Sequence, residues 1–245
     1  PLEELAQFDW VVLEPGHLSD ADVEFLLAQG SVPFAYLSVG EVDSHQAQQL
    51  ASLVEDAASD IRNEAWDSKV MDLNVPAWRE HLLARAKTLQ IQGYSGLFLD
   101  TLDSFMLLPE EQREEQRLGL IAVLRELHTR FPDLKLFFNR GFEVWPELRE
   151  IVSAVAVESI YSGWDAQAGV YREVPSADRQ WLETKLAAIR QQGVPVVALD
   201  YLPPERREEA RQLARRLHKE GYVPFVSTPE LNYLGVGSVE VQPRR

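Results

Sequence analysis

Three large apolar residues, Leu97-Phe98-Leu99, run without polar interruption into Asp100, and Asp103 follows three residues later. A run with no alternation reads as a strand buried on both faces, as in a parallel sheet. An acid at the C-terminal end of such a strand stands where α/β barrels keep their chemistry. The pattern returns in Ala154-Val155-Ala156-Val157, which ends in Glu158. Two buried strands that each deliver a carboxylate to one rim suit acid–base work on a sugar. That chemistry needs one carboxylic acid to protonate the leaving oxygen and a second carboxylate as nucleophile or base.

The rest of the chain alternates in the same way. Strands are expected over 9–14, 32–39, 69–71, 96–99, 134–138, 154–157, 194–199 and 222–226. A capping box at Ser19 and Asp22 opens a helix ending at Gly30, and a further helix is expected over 44–57. Pro76 fits the first turn of the next helix, with Asn74 as its cap. A charged helix over 110–130 has Leu118, Ile121, Leu124 and Leu127 as its expected buried stripe, and two more follow over 176–192 and 204–220. Eight strands separated by helices predict an α/β fold, a (β/α)8 TIM-type barrel. The strand ends Glu14, Ser38, Asp72, Asp100, Asn139, Glu158, Asp200 and Ser227 would share its catalytic rim. An open doubly wound sheet needs a glycine-rich first turn, and Glu14-Pro15-Gly16-His17 is not one. Past Ser227, Leu231-Asn232-Tyr233-Leu234-Gly235 lacks a full helical pattern, so the last helix is expected to be incomplete.

Composition narrows the chemistry. A chain of 245 residues, 45% of them hydrophobic, suffices for one barrel. Its formal charge of −15 disfavours nucleic acid and attracts a cationic substrate. With no cysteine, disulfides, thiolate catalysis and cysteine-based zinc sites are excluded. The five histidines, His17, His45, His81, His128 and His218, show no metal-ligand spacing. There is no nucleophile elbow and no phosphate-cradling glycine loop, so neither metal nor cofactor is expected. No apolar run approaches the roughly 20 residues that span a bilayer, so membrane insertion is not expected. The opening Pro1-Leu2, without methionine, reads as the start of a processed or excised piece.

Around the two acids, Tyr36, Tyr161, Trp164 and Tyr201 lie at or just past strand ends, where aromatic faces suit the apolar C–H faces of sugars. Asp72, Asp200 and Glu14 are rim acids that suit hydroxyls or protonated amines, and Asp103 either joins them or caps a loop. Asn139 suits a hydroxyl or acetamido group, and Arg140 could orient a carboxylate.

The segment from Gly93 to Asp103 (Gly-Tyr-Ser-Gly-Leu-Phe-Leu-Asp-Thr-Leu-Asp) resembles the signature of polygalactosaminidase-like glycoside hydrolases. Trp66-Asp67, Asp72-Leu73-Asn74 with Pro76-Ala77-Trp78, and Val157-Glu158-Ser159-Ile160-Tyr161 are similar to that superfamily. Leu37-Ser38-Val39-Gly40-Glu41 and Phe138-Asn139-Arg140-Gly141-Phe142 fit its Pel-exopolysaccharide branch, and the likeness runs from Phe8 to Pro229. The resemblance implies a single barrel domain over 1–245, the N-terminal part of a longer periplasmic or secreted protein. It implies an endo-acting hydrolase of an α-1,4-linked, partly deacetylated N-acetylgalactosamine polymer of bacterial biofilms. Asp100 and Glu158 carry over as the catalytic pair. Ser38, Tyr36, Asp72, Asp103, Asn139, Tyr161, Trp164, Asp200 and Tyr201 are the expected substrate contacts. The expected partners are the cationic polysaccharide and exopolysaccharide export components. One departure stands out: Thr101 occupies a position where the signature often has Asn.

Two readings compete with this one. A non-catalytic carbohydrate-binding barrel guiding polymer during export would keep the aromatics without needing both acids. A lyase or aldolase barrel would need a Schiff-base lysine or a ligand cluster at strand ends, and Lys69 and Lys135 begin their strands instead.

Overall fold

The computed structural model describes residues 2–231, 233 and 234, which fall in two compact units, Pro1–Ser153 and Ala154–Arg245. The first unit runs, in chain order, α1 (Leu2–Leu5), β1 (Trp10–Leu13), α2 (Asp20–Ala28), β2 (Val32–Ser38), β3 (Glu41–Asp43), α3 (Ser44–Gln49) and α4 (Ala51–Ala57). It continues with β4 (Ala58–Asn63), β5 (Ser68–Met71), α5 (Pro76–Ile91), β6 (Gly96–Asp100), a 3-10 turn (Ser104–Leu107), α6 (Glu110–Arg130), β7 (Lys135–Asn139) and α7 (Trp145–Leu148). Strands β1, β2, β6 and β7 pair in parallel, in that order, with Trp10 opposite Val32, Ser38 opposite Asp100 and Leu99 opposite Phe138. This register aligns the strand ends Ser38, Asp100 and Asn139.

Side chains two apart on a strand share a face. On one face of this ladder the rings of Trp10, Phe34, Phe98 and Phe137 form a layer. Phe34 and Phe137 have centroids 5.4 Å apart, Phe98 and Phe137 4.9 Å, in edge-on contacts that suit ring quadrupoles. Tyr36 joins the layer over Phe98, 6.2 Å between centroids. Gly96 makes room for it, because a Cβ there would lie 2.6 Å from both the Phe34 ring and the Lys135 carbonyl oxygen. A Gly96→Ala variant is expected to lose about 2–3 kcal/mol by overpacking, read as a lower urea midpoint with unchanged slope.

Several local expectations hold. Ser19 Oγ accepts from the Asp22 N–H at 3.3 Å, and the Asp22 carboxylate accepts from the Ser19 N–H at 2.9 Å, closing the capping box of α2. Other expectations do not. The cap position of α5 is Val75, and the Asn74 N–H instead donates to Asp72 Oδ1. On α6, Leu118 is exposed, and Leu120, Ile121, Leu124 and Leu127 form the buried stripe. The run Leu118-Gly119-Leu120-Ile121 allows several helical registers. The one adopted seats Gly119 against Asn74, where a Cβ would meet the Asn74 Oδ1 at 2.7 Å.

The expected third barrel strand is corrected. Residues 69–71 belong to β5, which pairs antiparallel with both β3 and β4 rather than joining the parallel ladder. The reason is connection length. Four residues separate β4 from β5, enough for a hairpin, whereas a parallel crossover takes a dozen or more. The unforeseen β4 supplies the partner.

The second unit contains β8 (Val152–Glu158, whose first two residues precede the boundary), β9 (Ser162–Asp165), β10 (Val170–Glu173), α8 (Ser176–Gln191), β11 (Val196–Tyr201), α9 (Arg207–Lys219) and β12 (Val223–Ser227). Strands β8, β11 and β12 pair in parallel, with Leu199 opposite Glu158 and Tyr201 opposite Ser227. The β9–β10 hairpin, with Trp164 opposite Tyr171, has no counterpart in the sequence reading. Helix α9 buries Ala210, Ala214 and Leu217, one face of an otherwise charged segment. The segment expected to hold an incomplete last helix lies largely outside the described residues. No helix among the described residues is long and apolar enough to cross a membrane.

Candidate active site

In the first unit Asp100 ends β6 between two neighbours that both contribute donors. The Tyr36 hydroxyl, from β2, donates to Asp100 Oδ2 at 2.6 Å. The Asn139 amide nitrogen, from the end of β7, donates to Oδ1 at 2.8 Å. An amide nitrogen can only donate, so Asp100 Oδ1 is fixed as an acceptor. Burial, and then the adjacent Asp100 charge, push the Tyr36 phenol far up, so its hydroxyl stays protonated and stays a donor.

Residue 101 then takes a left-handed backbone, φ 60°, which a β-branched side chain adopts only with strain. Asn tolerates that region better than a β-branched residue does. Here the threonine hydroxyl offsets the strain. Thr101 Oγ1 accepts from the N–H groups of Val39 and Gly40 at 3.1 and 2.8 Å and lies 2.9 Å from Ser38 Oγ. Gly40 is needed for this approach, since a Cβ there would lie 2.5 Å from the Thr101 carbonyl oxygen. Thr101→Val keeps the shape and strands the Gly40 N–H, while the Val39 N–H keeps the Asp100 carbonyl oxygen at 3.1 Å. An expected loss of about 2–3 kcal/mol in urea unfolding checks the assignment.

The same turn geometry follows two other strand ends, with φ 57° at Arg140 after Asn139 and 61° at Ser159 after Glu158. Strained residues of this kind concentrate at functional sites. Asp103 sits at the start of the 3-10 turn without capping it through its side chain. Burial pushes its carboxyl up, and the Arg140 guanidinium opposes that shift. Ser38 donates to the Glu41 carbonyl at 2.7 Å, so its hydroxyl ties the loop together. Asp72 Oδ1 accepts from Gln116 Nε2 at 2.6 Å and from the Asn74 N–H at 2.8 Å, which links the end of β5 to α6. The sequence reading missed Glu41 as a support. It is buried and accepts from Asn63, Ser68 and Ser104. Three small polar residues facing one acid across the fold leave no local sequence signal.

In the second unit Glu158 ends β8, and Oε2 accepts from the Tyr201 hydroxyl at 2.7 Å. Asp200, expected on the rim as a substrate contact, is 0% exposed. It accepts from the N–H groups of Ile160, Tyr161 and Ser162 at 2.8, 2.8 and 2.9 Å. A carboxylate with no exposed surface cannot meet a polymer. Its work is to pin the turn after Glu158, and burial outweighs the three donors to push its carboxyl up. Tyr161 is also corrected as a sugar platform. It is buried, its hydroxyl donates to Glu220, and Arg216 and Arg179 cover its ring at 3.7 and 5.0 Å from the centroid. Burial, then the Glu220 bond, push its phenol up to about 12. Trp164 packs edge-on against Tyr171, centroids 4.9 Å apart, on the hairpin.

Each unit thus sets one carboxylate at a parallel strand end beneath a tyrosine hydroxyl. Among the described residues no group of three or more His, Cys, Asp or Glu could hold a metal ion.

Comparison with known proteins extends this picture. The family model for glycoside-hydrolase family GH114 matches residues 3–242. The glycoside hydrolase domain of PelA from Pseudomonas aeruginosa is 64% identical, with a TM-score of 0.94 over 98% of this chain and 95% of that one. Aspergillus fumigatus Ega3, solved in complex with galactosamine, is 13% identical with a TM-score of 0.63 over 93% of this chain and 94% of that one, a likeness of fold alone. A protein of Methanocaldococcus jannaschii is 21% identical over 87% of this chain, which spans 66% of that relative's length. The likeness to the PelA domain establishes the fold class as α/β, a (β/α)8 TIM-type barrel, in which the β3–β4–β5 sheet is a local departure.

Proposed function

Because the chain belongs to glycoside-hydrolase family GH114, we propose that it is an endo-acting hydrolase of an α-1,4-linked polymer rich in N-acetylgalactosamine and galactosamine, of the Pel biofilm type. The observation that carries this reading is the environment of Asp100. Both its oxygens accept hydrogen bonds, one from an amide nitrogen that can only donate. We assign Asp100, whose two oxygens are both met by donors, as the nucleophile or as the base toward water. Glu158, oriented by Tyr201, is the proton donor to the leaving glycosidic oxygen. Both acids keep some exposure, as an acid that touches a polymer must.

The substrate's charge follows from the remaining acids. Asp72 and Asp103 are part-exposed on the first unit, and the chain as a whole carries −15. A polymer bearing some free amines is drawn to such a surface, and salt weakens the attraction. An amine at the cleavage point would hold the catalytic acid in its charged form, so an acetamido sugar is favoured there. Such a polymer belongs outside the cytoplasm, so the proposed location is periplasmic or secreted. The proposed partners are the polymer and the components that export it.

The test is cleavage mapping on galactosamine oligomers of defined acetylation at two ionic strengths. Internal cuts giving a spread of fragment lengths, faster on partly deacetylated chains and slowed by salt, are expected. Binding without cleavage would replace this reading with that of a carbohydrate-binding barrel. Equal turnover of fully acetylated and partly deacetylated chains, unaffected by salt, would remove the charge argument.

A further inference from the structure

The β3–β4–β5 sheet shares no strand with the parallel ladder that carries Asp100. A buried acid joins the two. Glu41, on β3, is 5% exposed. Its side-chain oxygens accept from Asn63 Nδ2 at 3.1 and 3.2 Å, from the Ser68 hydroxyl and from the Ser104 hydroxyl. Among the described residues no lysine or arginine pairs with it. An acid taken out of water with neutral donors alone stabilises a fold no better than well-packed apolar side chains would. Its distinction lies in what it connects.

Asn63 and Ser68 belong to β4 and β5, whereas Ser104 opens the 3-10 turn that follows Asp100. The Ser104 hydroxyl also lies 3.0 Å from the Thr101 carbonyl oxygen, so it spans from Glu41 to the residue next to Asp100. The backbone of Glu41 makes a second connection. Its carbonyl oxygen accepts from Ser38 Oγ at 2.7 Å, and Ser38 Oγ lies 2.9 Å from Thr101 Oγ1. The two segments approach closely at Gly40, where a Cβ would lie 3.1 Å from Ser104 Cβ. Thr101 keeps its left-handed backbone, φ 60°, inside this frame. A residue in that conformation persists only where its surroundings hold it. Relaxation there would turn the preceding side chain, Asp100, away from the Tyr36 and Asn139 donors.

We propose that Glu41 is a positioning residue: through Ser104 it holds the strained Thr101 turn and so fixes the aim of Asp100. The β3–β4–β5 sheet then acts on the reaction without Glu41 touching the polymer. A misplacement of about 1 Å at a reacting group can cost on the order of 10²-fold in rate. The proposal rests on the reading of Asp100 as nucleophile or base of a hydrolase.

The test has two arms. The first measures kcat and KM on partly deacetylated galactosamine oligomers, normalised to folded protein. Ser104→Ala is expected to lower kcat roughly tenfold with KM within about twofold, the split that marks lost alignment rather than lost binding. Glu41→Ala is expected to lower kcat roughly 100-fold, and Glu41→Gln, which keeps one acceptor oxygen, to recover part of that loss. Should Glu41→Ala not fold, Ser104→Ala and Glu41→Gln decide. Leu26→Ala, in the buried face of α2, destabilises by leaving a cavity and is expected to keep its kcat per folded molecule. The second arm follows amide exchange at the Gly40 N–H, which donates to Thr101 Oγ1. Ser104→Ala is expected to speed that exchange roughly tenfold. A kcat within about twofold of the parent in Ser104→Ala, an equal loss in Leu26→Ala, or unchanged Gly40 exchange would overturn the proposal. Failure of the unmodified protein to cut the oligomers would end the hydrolase reading instead, and the exchange arm would still decide whether Glu41 and Ser104 hold the turn.

Discussion

Asp100→Asn and Glu158→Gln are each expected to lower polymer cleavage by roughly 10³-fold or more while leaving a folded protein. The two changes act through different chemistry. At position 100 the amide removes the carboxyl group that the proposed mechanism uses as nucleophile or base. It also sets an NH2 group against one of the two donors, Tyr36 and Asn139, that now serve the carboxylate. The stability cost of that mismatch is about 1–2 kcal/mol, too small to unfold the protein. At position 158 the amide keeps the shape and the Tyr201 contact but has no proton to give the leaving oxygen. Substrates with good leaving groups need less protonation, so Glu158→Gln should recover much of its loss on an activated aryl glycoside. Asp100→Asn should recover little. Initial rates on both substrates, with thermal melts to show folding, make the comparison. Comparable activity in either stable variant would remove that residue from the mechanism, and the opposite pattern of recovery would exchange the two roles.

The second large effect falls on stability. Asp200→Ala is expected to cost about 4 kcal/mol or more, because two buried N–H groups and one part-buried N–H lose their acceptor together. Asp200→Asn retains one acceptor oxygen and turns a donor toward donors, so it should cost less, about 2–3 kcal/mol. Both variants free the turn after Glu158, so activity should fall more than the fraction unfolded explains. Urea unfolding followed by tryptophan fluorescence gives the first quantity, and rates normalised to folded protein the second. A cost below about 1 kcal/mol would show that the turn holds without this carboxylate. The pH sign is fixed by the direction of the shift. Burial raises the folded pKa of Asp200. Its proton-linked contribution is therefore full below the ordinary aspartate value of about 3.9 and is lost as pH rises through the elevated folded value. Asp200 is thus not a source of acid unfolding.

Much of the architecture was legible in the chain. Unbroken apolar runs ending in Asp100, Asn139 and Glu158 are where the parallel strands end, because a strand covered on both faces admits no polar residue until it leaves the sheet. The capping box at Ser19 was equally legible, since it is a local device whose two partners lie three residues apart. What failed involved choices between local solutions of similar energy. Residues 69–71 have the composition of a short strand in either kind of sheet, and the partner that made them antiparallel lies in 58–63, a segment with no strong period. The stripe of α6 could have begun at Leu118 or Leu120, and contact with Asn74 selected between them.

The candidate site divides along the same line. That Asp100 and Glu158 close buried strands follows from the order of residues alone, because hydrophobic patterning is set by neighbours in the chain. Which polar groups face substrate and which serve the protein was decided only in three dimensions. Tyr36, Asn139 and Tyr201 hold the two acids, Asp200 holds a backbone turn, and Tyr161 is pressed between arginines. All five read alike in one dimension, as polar or aromatic residues at strand ends. They differ in burial and in partners up to 64 positions away. The sequence by itself determined where the carboxylates stand. The tertiary structure decided what each neighbour does, because a hydrogen bond depends on distance in space, and only the packed fold sets that distance.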